Sequence, residues 1–174
     1  MLMLDREIHT AKALIVDGNP TSRSVMAAQL RDLGVQNVRQ VSRAQDARLV
    51  LEKEPHDIVL CEVSFEGAPM SGQDLLDELR RERQLPHSTV FVMVTAQASY
   101  NQVVEAAESA LDGLLLRPYT GAALAARVLE ARQRKRELAD VMRALDAGDQ
   151  EAALVRAVKR FQDRQPYWAY CGRL

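Results

Sequence analysis

Five short apolar runs recur along the chain, and amphipathic stretches separate them. The runs are continuous rather than alternating, which is typical of parallel strands that helices cover on both faces. Because strand and helix patterns alternate, the sequence predicts an α/β fold with one parallel sheet. The predicted strands cover residues 13–16, 35–41, 56–61, 90–94 and 113–116.

Four of these runs end on a polar residue. An open α/β sheet carries its binding site at the carboxyl ends of its strands. We therefore expect one site at this edge of the sheet, built from Asp17, Glu62, Thr95 and Arg117.

Helix signals lie between the predicted strands. Pro20 suits the first turn of a helix and Gly34 suits its C-cap. Ser42 is expected to cap the second helix. The side chains expected to face inward from the first helix are Val25, Met26, Leu30 and Leu33; further helices are predicted from residue 72, over 100–110 and from residue 120 onward.

Composition narrows the class of protein. The chain has 174 residues, enough for one domain and an appendage, and its 47% apolar and 27% charged content fits a globular protein. A net charge of −1 gives no general attraction to nucleic acid or anionic membrane. The two cysteines, Cys61 and Cys171, form neither a disulfide framework nor a metal cluster, so we expect a reducing, cytoplasmic setting.

The segment from about residue 11 to 132 resembles the receiver domain of response regulators in two-component signalling. Five pieces carry the resemblance through their order and spacing: LIVDG at 14–18, DIVLCE at 57–62, PMSG at 69–72, VTA at 94–96 and RPY at 117–119. The resemblance implies a flavodoxin-like, doubly wound sheet of five parallel strands in the order 2-1-3-4-5. The chain then divides into an N-terminal arm (1–11), a receiver-like domain (12–132) and a helical extension (133–174).

The resemblance also implies a phosphoacceptor pocket whose key residues are altered. In the family, an acidic pair after strand one holds Mg²⁺ together with the phosphoacceptor Asp after strand three. Here the acidic pair is Asp17-Gly18 and the phosphoacceptor position is Glu62. Thr95 keeps the hydroxyl that contacts the phosphoryl group, whereas Arg117 replaces a Lys. The aromatic switch position of the family is occupied by Leu114 here, so the aromatic switch residue is absent.

These changes predict little or no phosphorylation and only weak Mg²⁺ binding at Asp17 and Glu62. Misplacing a reacting group by about 1 Å can cost about a hundredfold in rate, and Glu62 is one methylene too long. A guanidinium suits a bidentate pair with a carboxylate. We therefore hypothesise a Glu62–Arg117 ion pair that locks the pocket and partly imitates its activated state.

Three interpretations of function stay open. The first is a non-enzymatic module that acts by phosphorylation-independent protein–protein interaction, with a partner surface that includes Val103, Leu114 and Arg127. The alternative is a genuine phosphoaccepting regulator that uses Glu62 or Asp17 with Mg²⁺. The third is a small-ligand or nucleotide sensor at the same edge, although the sequence has no glycine-rich phosphate loop to support it.

A stripe with 4-3 spacing runs through the helical segment after residue 120. As a heptad seam it reaches the lower limit for a coiled coil, and a homodimer could form through the last receiver helix. We favour a split stripe, with its first half on the sheet and its second half on the following helix. The stripe consists of Leu124, Val128, Ala131, Lys135, Leu138, Met142 and Leu145.

Two features of the extension concern partners. The basic run at 132–136 is flanked by glutamates and lacks aromatics, so we interpret it as a solvated face rather than a nucleic-acid contact. Residues 144–154 resemble the turn between the helices of a tetratricopeptide repeat, which implies a packed helix pair and a protein partner. Such repeats need about three copies for stability, so we expect the chain to be part of a longer protein, with Trp168, Tyr170 and Leu174 left uncovered.

Overall fold

The computed structural model describes residues 5–96 and 111–171. Five parallel strands form one sheet in the order β2-β1-β3-β4-β5, which confirms the predicted topology. The strands are β1 (Lys12–Val16), β2 (Asn37–Val41), β3 (Ile58–Glu62), β4 (Val90–Thr95) and β5 (Gly113–Leu116).

Seven α-helices are found in the described ranges, together with a short 3-10 turn at Ile8–Thr10. None of the helices in those ranges is long and apolar enough to cross a bilayer. The helix predicted over 100–110 lies outside the described residues. The helices are α1 (Pro20–Leu33), α2 (Ala44–Lys53), α3 (Gly72–Arg81), α4 (Gly121–Glu137), α5 (Ala139–Asp146), α6 (Gln150–Gln162) and α7 (Trp168–Cys171).

Two apolar layers sandwich the sheet. On one face, α1 and α4 bury side chains such as Leu30 and Leu124 against Ile15 and Leu60. On the other face, α2 and α3 form a separate cluster with the alternate strand residues, including Phe91. Both faces are therefore removed from water, as the continuous apolar strands require.

Capping residues fix where the site-bearing helices begin. The Asn19 side chain accepts hydrogen bonds from the backbone N–H groups of Thr21 and Ser22, and Pro20 occupies the first helical position of α1. The Ser71 side chain and Asp74 form a capping box that starts α3. These caps start α1 shortly after the end of β1 and start α3 beside the Glu62 carbonyl at the end of β3.

Three local predictions were wrong. Strand β2 starts at Asn37 rather than residue 35, because the Val35 N–H bonds the Leu30 carbonyl in the turn that ends α1 at Gly34. The predicted cap at Ser42 is replaced by Arg43, which makes no side-chain capping bond. Val25 was expected to face inward but is 51% exposed, because the α1 face it lies on points to solvent.

The 4-3 stripe is split, as we favoured. Leu124 and Val128 pack in the cluster between α4 and the sheet, whereas Leu138 and Met142 pack with Ala157 of α6. Because these side chains are buried within one chain, the stripe is not available as a coiled-coil seam for a second copy.

The helix predicted from residue 120 onward is interrupted at Leu138, which lies between α4 and α5. Arg160 of α6 donates from Nη2 to the Glu137 carbonyl at 2.8 Å, and Arg156 donates to the Asp140 carbonyl at 2.7 Å. These long-range hydrogen bonds satisfy backbone carbonyls at the interruption, and no local sequence signal predicts the bonds.

The basic run at 132–136 is not a solvated face, so that interpretation was wrong. Arg132 and Arg136 both bind the buried carboxylate of Asp5 in the N-terminal arm, at 2.6 and 2.5 Å. Lys135 is only 7% exposed and lies 3.0 Å from Asp112. The run instead ties the arm and the sheet to α4.

Polar contacts also seat the extension on the sheet domain. His87, before β4, bonds Asp146 of α5 through its backbone N–H at 2.8 Å and its ring Nδ1 at 2.7 Å. Arg134 of α4 lies over the Tyr170 ring of α7, 4.6 Å from its centroid.

Candidate functional site

The parallel register brings the four strand-end residues to one edge. Glu62 lies opposite Val94, one residue before Thr95 at the end of β4. Arg117 follows β5 and donates its backbone N–H to the Thr95 carbonyl at 2.8 Å; its peptide bond to Pro118 is cis. The carboxyl edge therefore presents one pocket.

Asp17 forms the floor of the pocket, and its residue is fully buried. The Asn19 N–H donates to Oδ1 at 2.7 Å, and the Ser22 hydroxyl donates to Oδ2 at 2.7 Å. Arg117 Nη2 also binds Oδ2. A buried carboxylate of this kind is tolerated only when paired and hydrogen-bonded, and both oxygens of Asp17 are engaged.

Arg117 joins the two carboxylates of the pocket. Its Nη1 lies 3.2 Å from Glu62 Oε1, so the expected ion pair is present. However, Arg117 does not form the expected bidentate pair with Glu62. Its Nη2 instead binds Asp17 and donates to the Ser22 hydroxyl at 2.8 Å. The guanidinium is thus shared between Asp17 and Glu62.

Glu62 occupies the mouth of the pocket, with its side chain 24% exposed. Its Oε2 accepts the Gly18 N–H at 3.3 Å. Burial and, next, the charge of Asp17 raise the pKa of Glu62, while the Gly18 N–H and Arg117 act in the opposite direction. The carboxyl is therefore easier to protonate than an ordinary glutamate.

Two glycines shape the pocket in different ways. A Cβ at Gly18 would meet nothing closer than 4.0 Å, so the backbone there does not exclude a side chain. A Cβ at Gly72 would lie 2.2 Å from the Glu62 carbonyl oxygen. Only glycine lets α3 start so close to the end of β3.

Two contributors to the pocket escaped sequence analysis. Ser22 binds both Asp17 and Arg117, and Arg23 donates from Nη1 to the Asp17 carbonyl at 2.6 Å. Both follow the capping residue Asn19 in the first turn of α1, so the helix-start signal already placed them at this edge.

The residues present do not fit Mg²⁺. A Mg²⁺ site needs oxygen ligands in near-octahedral geometry, usually with one or two free carboxylates. Here one cationic guanidinium already binds Asp17 and Glu62, and Gly18 supplies no carboxylate. Across the described ranges, no group of three or more His, Cys, Asp or Glu side chains could hold a metal ion.

An open groove of about 1160 Å³ adjoins the pocket. Glu62 forms part of its wall, and its other walls are the start of α1 and the loops after β2 and β3. A molecule that entered the groove would meet the carboxylate of Glu62 before it reached Asp17.

Two of the three residues expected at a partner surface, Leu114 and Arg127, lie at the sheet edge formed by β5. Arg127 is exposed, and its side chain lies against Gly113 of that strand. Leu114 is half-buried against the cluster of α2 and α3. Leu116, which sequence analysis did not include, is 47% exposed. Val103 lies outside the described residues.

Comparison with known proteins agrees with this architecture. The family description "Response regulator receiver domain" matches residues 13–129. Chemotaxis protein CheY-3 of Vibrio cholerae serotype O1 is 36% identical over 113 residues, which cover 65% of this chain and 85% of that protein. Chemotaxis protein CheY of Pseudomonas aeruginosa is 34% identical over 113 residues, which cover 65% of this chain and 89% of that protein.

Solved structures show the same fold at lower identity. The signal receiver domain of a putative Luxo repressor protein from Vibrio parahaemolyticus gives a TM-score of 0.65 at 18% identity, covering 72% of this chain and 92% of that one. A CheY-like receiver domain from Methanospirillum hungatei gives 0.64 at 21% identity, covering 72% and 96%. With its sheet order, its matched segment and these relatives, the chain belongs to the response regulator receiver domain family.

Proposed function

We propose that this chain is a pseudo-receiver, meaning a receiver-family signalling module that acts through protein–protein contacts without being phosphorylated. The observation that carries the proposal is the guanidinium of Arg117, which binds Asp17 and Glu62 at once. The positive charge that a metal ion would bring to this edge is already part of the protein.

Asp17 is a poor candidate for phosphoryl transfer. A nucleophilic carboxylate needs an oxygen free to attack in line. The oxygens of Asp17 accept bonds from Asn19, Ser22 and Arg117, and the residue has no solvent-exposed surface. Attack from Asp17 would first require these bonds to break.

Glu62 is the more accessible carboxylate, but its surroundings also oppose transfer. Its raised pKa reflects a charged form that burial and Asp17 disfavour. Its longer side chain reaches Arg117 and the Gly18 N–H, which hold both oxygens. We propose that this ion pair keeps the pocket in one state and imitates activation in part, since a phosphate carries about −1.5 to −2 charges and Glu62 only one.

Acetyl phosphate with Mg²⁺ tests the proposal. We expect the intact mass of the wild type to stay unchanged after incubation. The matched variant carries Gly18→Asp, Glu62→Asp and Arg117→Lys, which restore the family pattern; Gly18 has room for the added Cβ. This variant should gain the mass of one phosphoryl group. A wild type that gains that mass on Asp17 or Glu62 would establish the alternative, a true phosphoacceptor.

The proposed partner surface is the edge formed by β5 and the exposed side of α4, with Leu114, Leu116 and Arg127. The Arg117 network fixes the end of β5 next to this edge, so a permanently paired pocket holds the surface in one arrangement. A pull-down with wild type and Arg127→Glu should show a bound protein that the variant loses. The same protein should remain bound by wild type in the presence and absence of acetyl phosphate.

The helical extension is the second proposed recruiting element. We propose a boundary near residue 132, with a tetratricopeptide-like helix pair after it. The close packing of Ala144 and Ala153 between α5 and α6 supports this, because small residues let two helices approach. Cys61 and Cys171 are both free and buried, which supports action in the reducing cytoplasm.

A further inference from the structure

Helix α6 exposes a row of large apolar side chains. Leu154 is 64% exposed, Val155 61%, Val158 43% and Phe161 49%. Leu154, Val158 and Phe161 recur at 4-3 spacing, so they form one stripe over about 10 Å of helix. An apolar row of this size on one helix indicates a contact surface.

The stripe is separate from the packing that holds the extension together. The inward side of α6 presents Ala153 and Ala157, both buried against α5 and its surroundings. Trp168 of α7, 38% exposed, extends the stripe: its ring meets Phe161 edge-on with centroids 5.1 Å apart.

We propose that this stripe is a homodimer interface, in which α6 of a second copy packs antiparallel against it. One register serves all of its members. With the twofold axis beside Val158, Leu154 of each copy faces Phe161 of the other, and the two Val158 side chains meet at the centre. A large and a medium side chain then oppose each other at both ends.

Charge supports the same register. Glu151 precedes the stripe in the first turn of α6, and Arg164 follows it just past the end of the helix. Antiparallel pairing about Val158 places Glu151 of each copy opposite Arg164 of the other. The two helix dipoles also oppose each other favourably. Parallel pairing would instead set like charges side by side.

This interface does not depend on the phosphoacceptor pocket, so it stands or falls apart from the proposed function. It also differs from a seam along α4, whose stripe is buried within the chain. A contact along one helix of this length belongs to the weaker class of interfaces, so dimerisation should depend on protein concentration.

Sedimentation velocity over a concentration series tests the proposal. Wild type should shift from monomer to dimer as concentration rises, and Val158→Glu should stay monomeric with an unchanged circular dichroism spectrum. Leu49→Glu is the matched control, because Leu49 is an apolar residue of α2, 55% exposed and outside the stripe; it should dimerise as wild type does. A monomeric wild type, or a dimeric Val158→Glu, would overturn the proposal.

Cysteine cross-linking tests the register. Val158→Cys should form an intermolecular disulfide under mild oxidation, whereas wild type should not, since Cys61 and Cys171 are buried. Leu49→Cys should not cross-link either. Glu151→Arg should weaken the dimer, and adding Arg164→Glu should restore it. A Val158→Cys protein that stays uncross-linked at concentrations where wild type is dimeric would rule out the antiparallel register.

Discussion

At the residue scale, the shared guanidinium of Arg117 is what lets two carboxylates lie together at the sheet edge. Asp17 is fully buried and Glu62 partly so, and the charge of Asp17 raises the cost of ionising Glu62. A lysine is a point charge on a flexible stem, whereas the planar fork of arginine can bond two acceptors at once. The exchange of Lys for Arg and that of Asp for Glu therefore belong together.

Removing this cation should be costly. Arg117→Ala leaves Asp17 buried without its ionic partner, and breaking a buried pair costs about 3–5 kcal/mol, to be discounted here because the Arg117 side chain is 25% exposed. We expect a loss of about 2–3 kcal/mol in the free energy of unfolding, measured with urea. The control Arg127→Ala, at an exposed site, should change it by less than about 0.5 kcal/mol. Equal losses in both variants would contradict the ion-pair argument.

Glu62 should make the native state more stable as the pH falls. Its pKa is raised in the folded protein, so the folded state binds a proton more readily than the unfolded state does. Its stabilising contribution is complete below the ordinary glutamate pKa and is lost as the pH rises through the raised value. The difference in urea midpoint between wild type and Glu62→Gln, followed from neutral pH down to that range, should therefore shift in favour of wild type. A difference in urea midpoint that stays constant with pH would contradict the raised pKa of Glu62.

At the element scale, the position of α3 depends on a single missing methyl group. Gly72 opens α3 beside the end of β3, across the loop at 63–71, and its N–H donates to the Val63 carbonyl at 2.8 Å. An added Cβ would strike the Glu62 backbone at 2.2 Å and touch Cys61 Sγ at 3.0 Å. Strand β3, which carries Glu62, and helix α3 therefore approach each other as closely as their backbones allow.

Gly72→Ala should destabilise the protein by about 2–3 kcal/mol or more, because backbone rather than a flexible side chain must move. Gly121→Ala is a matched control: Gly121 also opens a helix, but its Cβ would meet only Gln29 at 3.5 Å, an ordinary contact. That change should be neutral or stabilising by about 0.5 kcal/mol, since alanine loses less entropy on folding. Urea unfolding of the two variants gives the comparison, and similar midpoints would refute the steric account.

Elements with strong local signals were predictable from sequence. The five apolar runs predicted the sheet, and Pro20, Gly34 and the helix start at Thr120 marked helix ends that the structure bears out. Beyond the local errors at the start of β2, at Ser42 and at Val25, the predictions that failed depended on contacts between distant segments. The interruption at Leu138 rests on arginines of α6, and the burial of the basic run rests on Asp5 and Asp112.

The pocket divides in the same way. Strand ends placed Asp17, Glu62, Thr95 and Arg117 at one edge, because parallel strands share their direction. The sequence could not predict that the Arg117 guanidinium bonds both Asp17 and Glu62. That arrangement depends on the burial of Asp17 and on the Ser22 hydroxyl, which bonds both Asp17 and Arg117.

At the scale of the whole molecule, a buried ionic cluster joins the sheet to the extension. Asp112, the residue before β5, accepts the Phe91 N–H at 2.8 Å and lies 3.0 Å from Lys135. Lys135 also donates to the His87 carbonyl, and His87 binds Asp146 of α5. Burial, as the largest influence, lowers the pKa of Lys135, while Asp112 favours its charged form. The pair therefore couples β4 and β5 to the extension.

Breaking this cluster should uncouple the two parts. Lys135→Ala leaves the buried Asp112 poorly compensated and should cost about 2–4 kcal/mol of unfolding free energy. The double variant Lys135→Met with Asp112→Asn should recover more than half of that loss, since the amide oxygen can still accept the Phe91 N–H and the buried carboxylate is gone. Arg134, 3.6 Å from the Asp112 carboxylate, loses that ion pair but keeps its hydrogen bond to the Asp112 backbone carbonyl. Lys53→Ala, at an exposed position of α2, serves as the control and should change stability by less than about 0.5 kcal/mol.

The single tryptophan makes the uncoupling directly visible. Trp168 lies in α7, so its fluorescence reports on the extension, whereas far-ultraviolet circular dichroism reports on the whole chain. In wild type the two urea transitions should coincide, as they do when a protein unfolds as one unit. In Lys135→Ala the fluorescence transition should come at lower urea than the circular dichroism transition, because the extension has lost its ionic tie to the sheet. Coincident transitions in that variant would show that apolar packing of α4, α5 and α6 alone joins the extension to the receiver fold.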